Sequence, residues 1–137
     1  MGEKMNRTFK SIMGMKLWVK IWLMMLGPAN MLAFLHLDTD IGFWTAVAGG
    51  LVVATNIPML FAMGGVTRAL SLPHMVWVPL LIYIFPKIIG PDALDPASAE
   101  FRLGVTIFVF NSISLAFDFL ESYRWFKGER EILGLEA

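Results

Sequence analysis

Four long apolar runs, near Leu17–Leu37, Ile41–Gly65, Leu72–Gly90 and Leu103–Leu120, constrain this chain more than any other feature. About 20 helical residues rising ~1.5 Å each cross the ~30 Å hydrocarbon layer of a bilayer, and each run meets or approaches that length. Backbone polar groups in lipid must be satisfied within the chain, so the spanning elements are helices. The expected fold is all-α: a polytopic membrane protein with four transmembrane helices.

With 137 residues in total, four spans leave almost nothing for a separate soluble domain. The chain divides into a basic N-terminal segment (1–16), a four-helix domain (17–126) and a tail (127–137). Within the domain the spans are expected at about 17–37, 41–65, 72–90 and 97–126. A hydrophobic content of 57% against 16% charged residues fits that reading better than a soluble core. The first run is too long for the apolar region of a signal peptide and is read as an uncleaved span. The absence of cysteine excludes disulfides, thiolate metal sites and thiol catalysis. A net charge of +0 provides no field to recruit nucleic acid.

Lysine and arginine set the expected orientation. Lys4, Arg7, Lys10, Lys16 and Lys20 precede or open the first span, Arg68 lies between the second and third, and Arg124, Lys127 and Arg130 end the fourth. The other two breaks carry only Lys87 and Arg102, beside Asp38, Asp40, Asp92, Asp95 and Glu100. By the positive-inside rule both termini face the cytoplasm, and the expected location is the inner (plasma) membrane of a bacterium. Asp40 is placed to cap the second helix, Ser71 the third and Asp95, before Pro96, the fourth. Pro79 and Pro86 each remove an intrahelical hydrogen bond, which predicts a kinked third helix.

Two helix faces stand out. In the second span Gly42, Ala46, Gly50 and Ala54 recur at i+4, a small-residue groove that lets helices approach closely, within the chain or between protomers. In the fourth, Gly104, Asn111, Ser114, Asp118 and Glu121 or Ser122 share one stripe. A carboxylate at the centre of a span costs ~3 kcal/mol on insertion scales, so Asp118 must face protein or water, be paired, or stay protonated. Arg68 and Arg124 are candidate ion-pair partners, with Glu121 nearer the boundary. Counting from the helix ends places Asn56 level with Asp118, and Asn30 level with Asn111. The same residues also read as interhelical glue, since Asn and Ser contacts in membranes contribute ~0.6–2 kcal/mol.

Other groups carry weaker signals. His36, Asp38 and Asp40 form a polar trio without a fourth ligand, so no metal site is assigned. His74 is placed near the cytoplasmic start of the third span, as an interfacial residue with no special task or, alternatively, as a pH sensor. The region from Glu121 to Glu136 mixes acids and bases on an expected short helix. Phosphate-binding loops, HExxH and nucleophile elbows are missing from the sequence, so neither an enzyme nor a cofactor is expected. The leading expectation is a homo-oligomeric channel or carrier for an ion or small solute, with Asp118, Asn56, Asn111, Asn30 and Ser114 along its route. The alternative is a non-catalytic accessory subunit of a larger membrane complex.

Overall fold

The computed structural model describes residues 2–135 and is helical throughout, with five α-helices and two 3₁₀ segments among them. Helix α1 (Gly2–Gly14) leads into α2 (Leu17–Met31), which tightens into a 3₁₀ turn over Leu32–Leu35. Helix α3 spans Asp40–Met63. A 3₁₀ segment, Arg68–Val76, then feeds α4 (Trp77–Ile88), and α5 (Ala99–Phe126) closes the bundle. Four stretches are long and apolar enough to cross a membrane: Leu17–Leu35, Asp40–Met63, Arg68–Ile88 and Ala99–Phe126. The third therefore begins at Arg68, ahead of the expected Leu72, and its first part is 3₁₀ rather than α.

Local chemistry sets the helix ends, in places by neighbours of the expected residues. Thr39, not Asp40, caps α3: its extended backbone lets Oγ1 accept from the Gly42 N–H at 3.1 Å, while Asp40 sits in the first turn near the positive end of the dipole. Ser98 caps α5 by accepting from the Phe101 N–H at 3.1 Å. Asp95 instead shapes the preceding turn, its Oδ1 accepting from the Ala97 N–H. Ser71 lies inside the 3₁₀ segment, and the extended residue before that segment is Thr67. The expected short helix in the tail is also corrected, since α5 stops at Phe126. Gly128 takes φ +98° there, and the Glu129 and Gly128 N–H groups bond back to Arg124 and Trp125 carbonyls, a Schellman closure.

Helix α5 packs along α4, α2 and the Arg68–Val76 segment, which makes it the central post of the bundle. At the end remote from α1, Ile41, Ile84 and Ile107 are fully buried and form an apolar plug with Leu103. Gly104 permits that plug, since a Cβ there would lie 2.8 Å from Ile41 Cδ1 and 3.1 Å from Ile88 Cγ2. Trp22 stacks on Phe110 with ring centroids 5.6 Å apart, and Trp18 meets Phe117 at 5.8 Å, joining α2 to α5. In lipid such dispersion contacts, rather than a hydrophobic force, hold helices together.

Helix α1 and the tail around Leu133 meet at the opposite end. Ser11 of α1 donates to the Leu133 carbonyl at 2.6 Å and accepts from the Val66 N–H at 2.9 Å; the Leu133 N–H donates to the Val66 carbonyl at 2.8 Å. These bonds clasp α1, the turn after α3 and the tail into one layer beneath the bundle.

Candidate functional site

The buried polar groups follow one side of α5, where Asn111, Ser114, Asp118 and Ser122 are all enclosed. Their spacing returns each side chain to the same face, so the helix carries a ladder of polar levels through the bundle. Each level meets a different partner.

Asn111 is fully buried and exchanges two amide hydrogen bonds with Asn30 of α2, at 2.8 and 3.0 Å. Asn30 gives its second N–H to the Leu26 carbonyl at 3.1 Å. Every side-chain nitrogen and oxygen of this pair has a partner, on the other amide or on the backbone. Its chemistry is that of a structural tie between α2 and α5.

Asp118 lies roughly 12 Å along α5 from its Phe126 end, at ~1.5 Å per residue. Its carboxylate Oδ1 is 2.9 Å from His74 Nδ1, with side-chain exposures of 11% and 16%. Its other oxygen accepts a longer bond from Ser114 Oγ at 3.3 Å. The remaining ring nitrogen, His74 Nε2, faces Asn56 Nδ2 at 3.2 Å. The imidazole stacks flat on Trp77, with centroids 4.5 Å apart and planes 2° from parallel. Asn56, His74, Asp118 and Ser114 thus form one continuous file across three spans.

The geometry allows two charge states. With the imidazole neutral, Nδ1–H donates to the carboxylate and Nε2 accepts from the Asn56 amide. With the imidazole protonated, Nε2–H needs an acceptor, which the Asn56 amide supplies by turning its oxygen inward. That oxygen, Oδ1, is buried and among the described residues has no hydrogen-bond partner. A rotation of one amide therefore serves both states.

Arg68 and Arg124 do not reach Asp118. Arg68 is 7% exposed and is ringed by Glu121 at 3.2 Å, Glu129 at 3.1 Å and Glu131 at 3.6 Å. Its Nε and Nη1 atoms lack well-aligned acceptors despite those distances, so charge attraction rather than directed bonding holds them. Arg124 bonds to Glu129 at 2.7 Å and to Glu121 at 3.3 Å. Glu129 is held below the ordinary carboxylate range, chiefly by its hydrogen bond from Arg124, with the Arg124 and Arg68 charges adding to it. Between this charged layer and Asp118, Ser71 Oγ meets Ser122 Oγ at 2.9 Å.

The small-residue face of α3 divides. Gly42 and Ala46 are buried, and a Cβ on Gly42 would collide with the His36 carbonyl. Gly50 and Ala54 are exposed, and a Cβ on Gly50 would have no neighbour within 4 Å. At the far end Asp40 lies 3.6 Å from Lys87 Nζ. Among the described residues no three His, Cys, Asp or Glu side chains come together as a metal cage.

His74 is the residue whose place the sequence reading missed. Starting the third span at Leu72 puts His74 at the membrane surface, whereas a span starting at Arg68 carries it inward to the level of Asp118. The signal was available in the polar spacing Arg68, Ser71, His74, which is the three-residue period of a 3₁₀ helix. The chain matches no protein-family model, no curated protein and no solved structure.

Proposed function

We propose that this protein is a homo-oligomeric membrane carrier for protons or a small cation, with His74 and Asp118 as its proton-accepting centre. The observation that carries the reading is the enclosed imidazole–carboxylate pair with an amide able to serve both of its charge states. Ionisable groups are costly inside a span, and an imidazole can accept and donate a proton through its two ring nitrogens. Asn56 and Ser114 flank the pair as relay groups. Asn111 and Asn30, expected along the route, act at the next level as the tie between α2 and α5, and Ser71 with Ser122 leads toward the Arg68 layer.

The plug of Ile41, Ile84 and Ile107 supports a carrier over an open pore, because passage to the far side requires those helices to part. Both termini face the cytoplasm of a bacterial inner membrane in this reading, with the basic segments inside, and the third span bends at Pro79 and Pro86. The open face at Gly50 and Ala54 supports a second copy packed on α3. That same open face also favours the alternative, a non-enzymatic accessory subunit docked on a larger membrane complex.

Purified protein in liposomes loaded with a pH-sensitive dye tests the proposal. The native chain should carry a proton flux above that of empty liposomes. Asp118→Asn and His74→Gln should each lower it at least about tenfold, the scale of a ~1.4 kcal/mol change in barrier, without altering gel-filtration behaviour. Flux equal to empty liposomes across protons and alkali cations overturns the carrier reading. A stoichiometric larger partner in native purification would then support the accessory role.

A further inference from the structure

Helix α1 is turned inside out with respect to the protein. It buries Thr8 and Ser11, which are 2% and 0% exposed, and leaves Met5, Phe9 and Met13 at 58%, 62% and 51%. Those apolar residues recur at i+4 and form one continuous stripe on the outside. Its surroundings in the sequence are basic: residues 2–20 contain Lys4, Arg7, Lys10, Lys16 and Lys20 against the single acid Glu3. The face that touches protein is small and polar, and it is fixed by the two hydrogen bonds of Ser11.

The position of α1 identifies what lies against that stripe. Only Met15 and Lys16 separate its end at Gly14 from Leu17, where the first span starts. The three steps from Gly14 to Leu17 reach about 11 Å at full extension, so the end of α1 is held close to the membrane surface. The exposed apolar surface also continues along the chain from Met13 into Leu17, Trp18 and Ile21.

We propose that α1 lies in the plane of the membrane interface, with Met5, Phe9 and Met13 sunk among acyl chains and the basic side chains gripping anionic phospholipid headgroups. An amphipathic helix with a basic polar flank binds lipid in this way, and each cation near the surface adds to its preference for negative lipid. Neutral lipid would satisfy the stripe but leave the cluster of cations without counter-charge. This inference stands on the span positions and is independent of any transport activity.

The absence of cysteine allows single labels on the full-length chain. Bimane is placed on Met5→Cys, Met13→Cys or Glu3→Cys, and the protein is reconstituted in phosphatidylcholine vesicles with or without phosphatidylglycerol. The labels at positions 5 and 13 should be quenched by nitroxide-bearing acyl chains and shielded from aqueous iodide, with the reverse at position 3. Nitroxide-bearing phosphatidylglycerol should quench more strongly than its phosphatidylcholine counterpart, by about threefold or more at low salt. The triple change K4Q/K10Q/K16Q, all at exposed positions, should bring that ratio close to one. Iodide access at positions 5 and 13 overturns the proposal. Shielding from both quenchers overturns it too, because it places protein rather than lipid on the stripe. Equal quenching by the two lipids overturns the anionic preference.

Discussion

Three asparagines, of which Asn111 is buried and Asn30 and Asn56 half-buried, sit between the helices and differ in chemistry. Asn30 and Asn111 answer each other donor for acceptor, whereas the Asn56 amide oxygen has no fixed partner while its nitrogen holds His74. A reciprocal pair should behave as an ordinary interhelical contact. A double-mutant cycle over Asn30→Leu and Asn111→Leu, read by reversible unfolding in detergent micelles, should return a coupling of about 0.6–1.7 kcal/mol, with the double variant less destabilised than the singles sum to. A coupling near zero would mean that the amides do not hold α2 to α5.

The helices themselves were largely legible, because ~20 apolar residues in lipid leave one backbone solution. The polar stripe of α5 was legible for the same reason, since its 3.6-residue period and the cost of burying Asp118 both point inward. The caps moved by one to three residues, since Thr39 and Ser98 hold the extended backbone from which a hydroxyl reaches a first-turn N–H, while Asp95 is taken up by the Ala97 N–H of the preceding turn. Helix α1 went unseen because its contact face is made of Thr8 and Ser11 rather than apolar residues, so the usual core pattern is absent. The tail was misread as a helix because Gly128 counts as neutral in a charge pattern but ends α5 by its positive φ. That tail is held by charge. Glu129 has its carboxyl depressed, so its contribution is complete above the unfolded carboxylate pKa of about 4.3 and disappears as pH falls through the lower folded value. Acidification below about pH 4 should therefore loosen residues 128–135, and hydrogen exchange at the Leu133 amide should quicken relative to helix-core amides. Glu129→Gln should already show faster exchange at neutral pH. An unchanged Leu133 rate in both cases would leave the Val66 and Ser11 bonds as the whole attachment.

For the whole molecule, the open half of the α3 small-residue face is the element least explained by the single chain. Gly42 and Ala46 are used internally, whereas Gly50 and Ala54 face outward with room for a close helix. Gly50→Leu and Ala54→Leu should leave the protomer folded, because neither position is enclosed within it. Both should shift the native mass of the detergent-solubilised protein toward the monomer. A native mass unaffected by either change would place the subunit contact elsewhere.

Arg68 has a further consequence for how the chain is made. Synthesis proceeds from the N-terminus, so the third span is complete while Glu121, Glu129 and Glu131 remain untranslated. During that interval a guanidinium at the head of a nascent span has none of the acids that will surround it, and the bilayer has to carry it alone. Only when residues 121–131 have been made does the cation acquire its counter-ions. Closure of the bundle around Arg68 thus waits on the segment that ends and follows α5, and a polypeptide cut before Glu121 would keep an unneutralised charge at the head of its third apolar stretch.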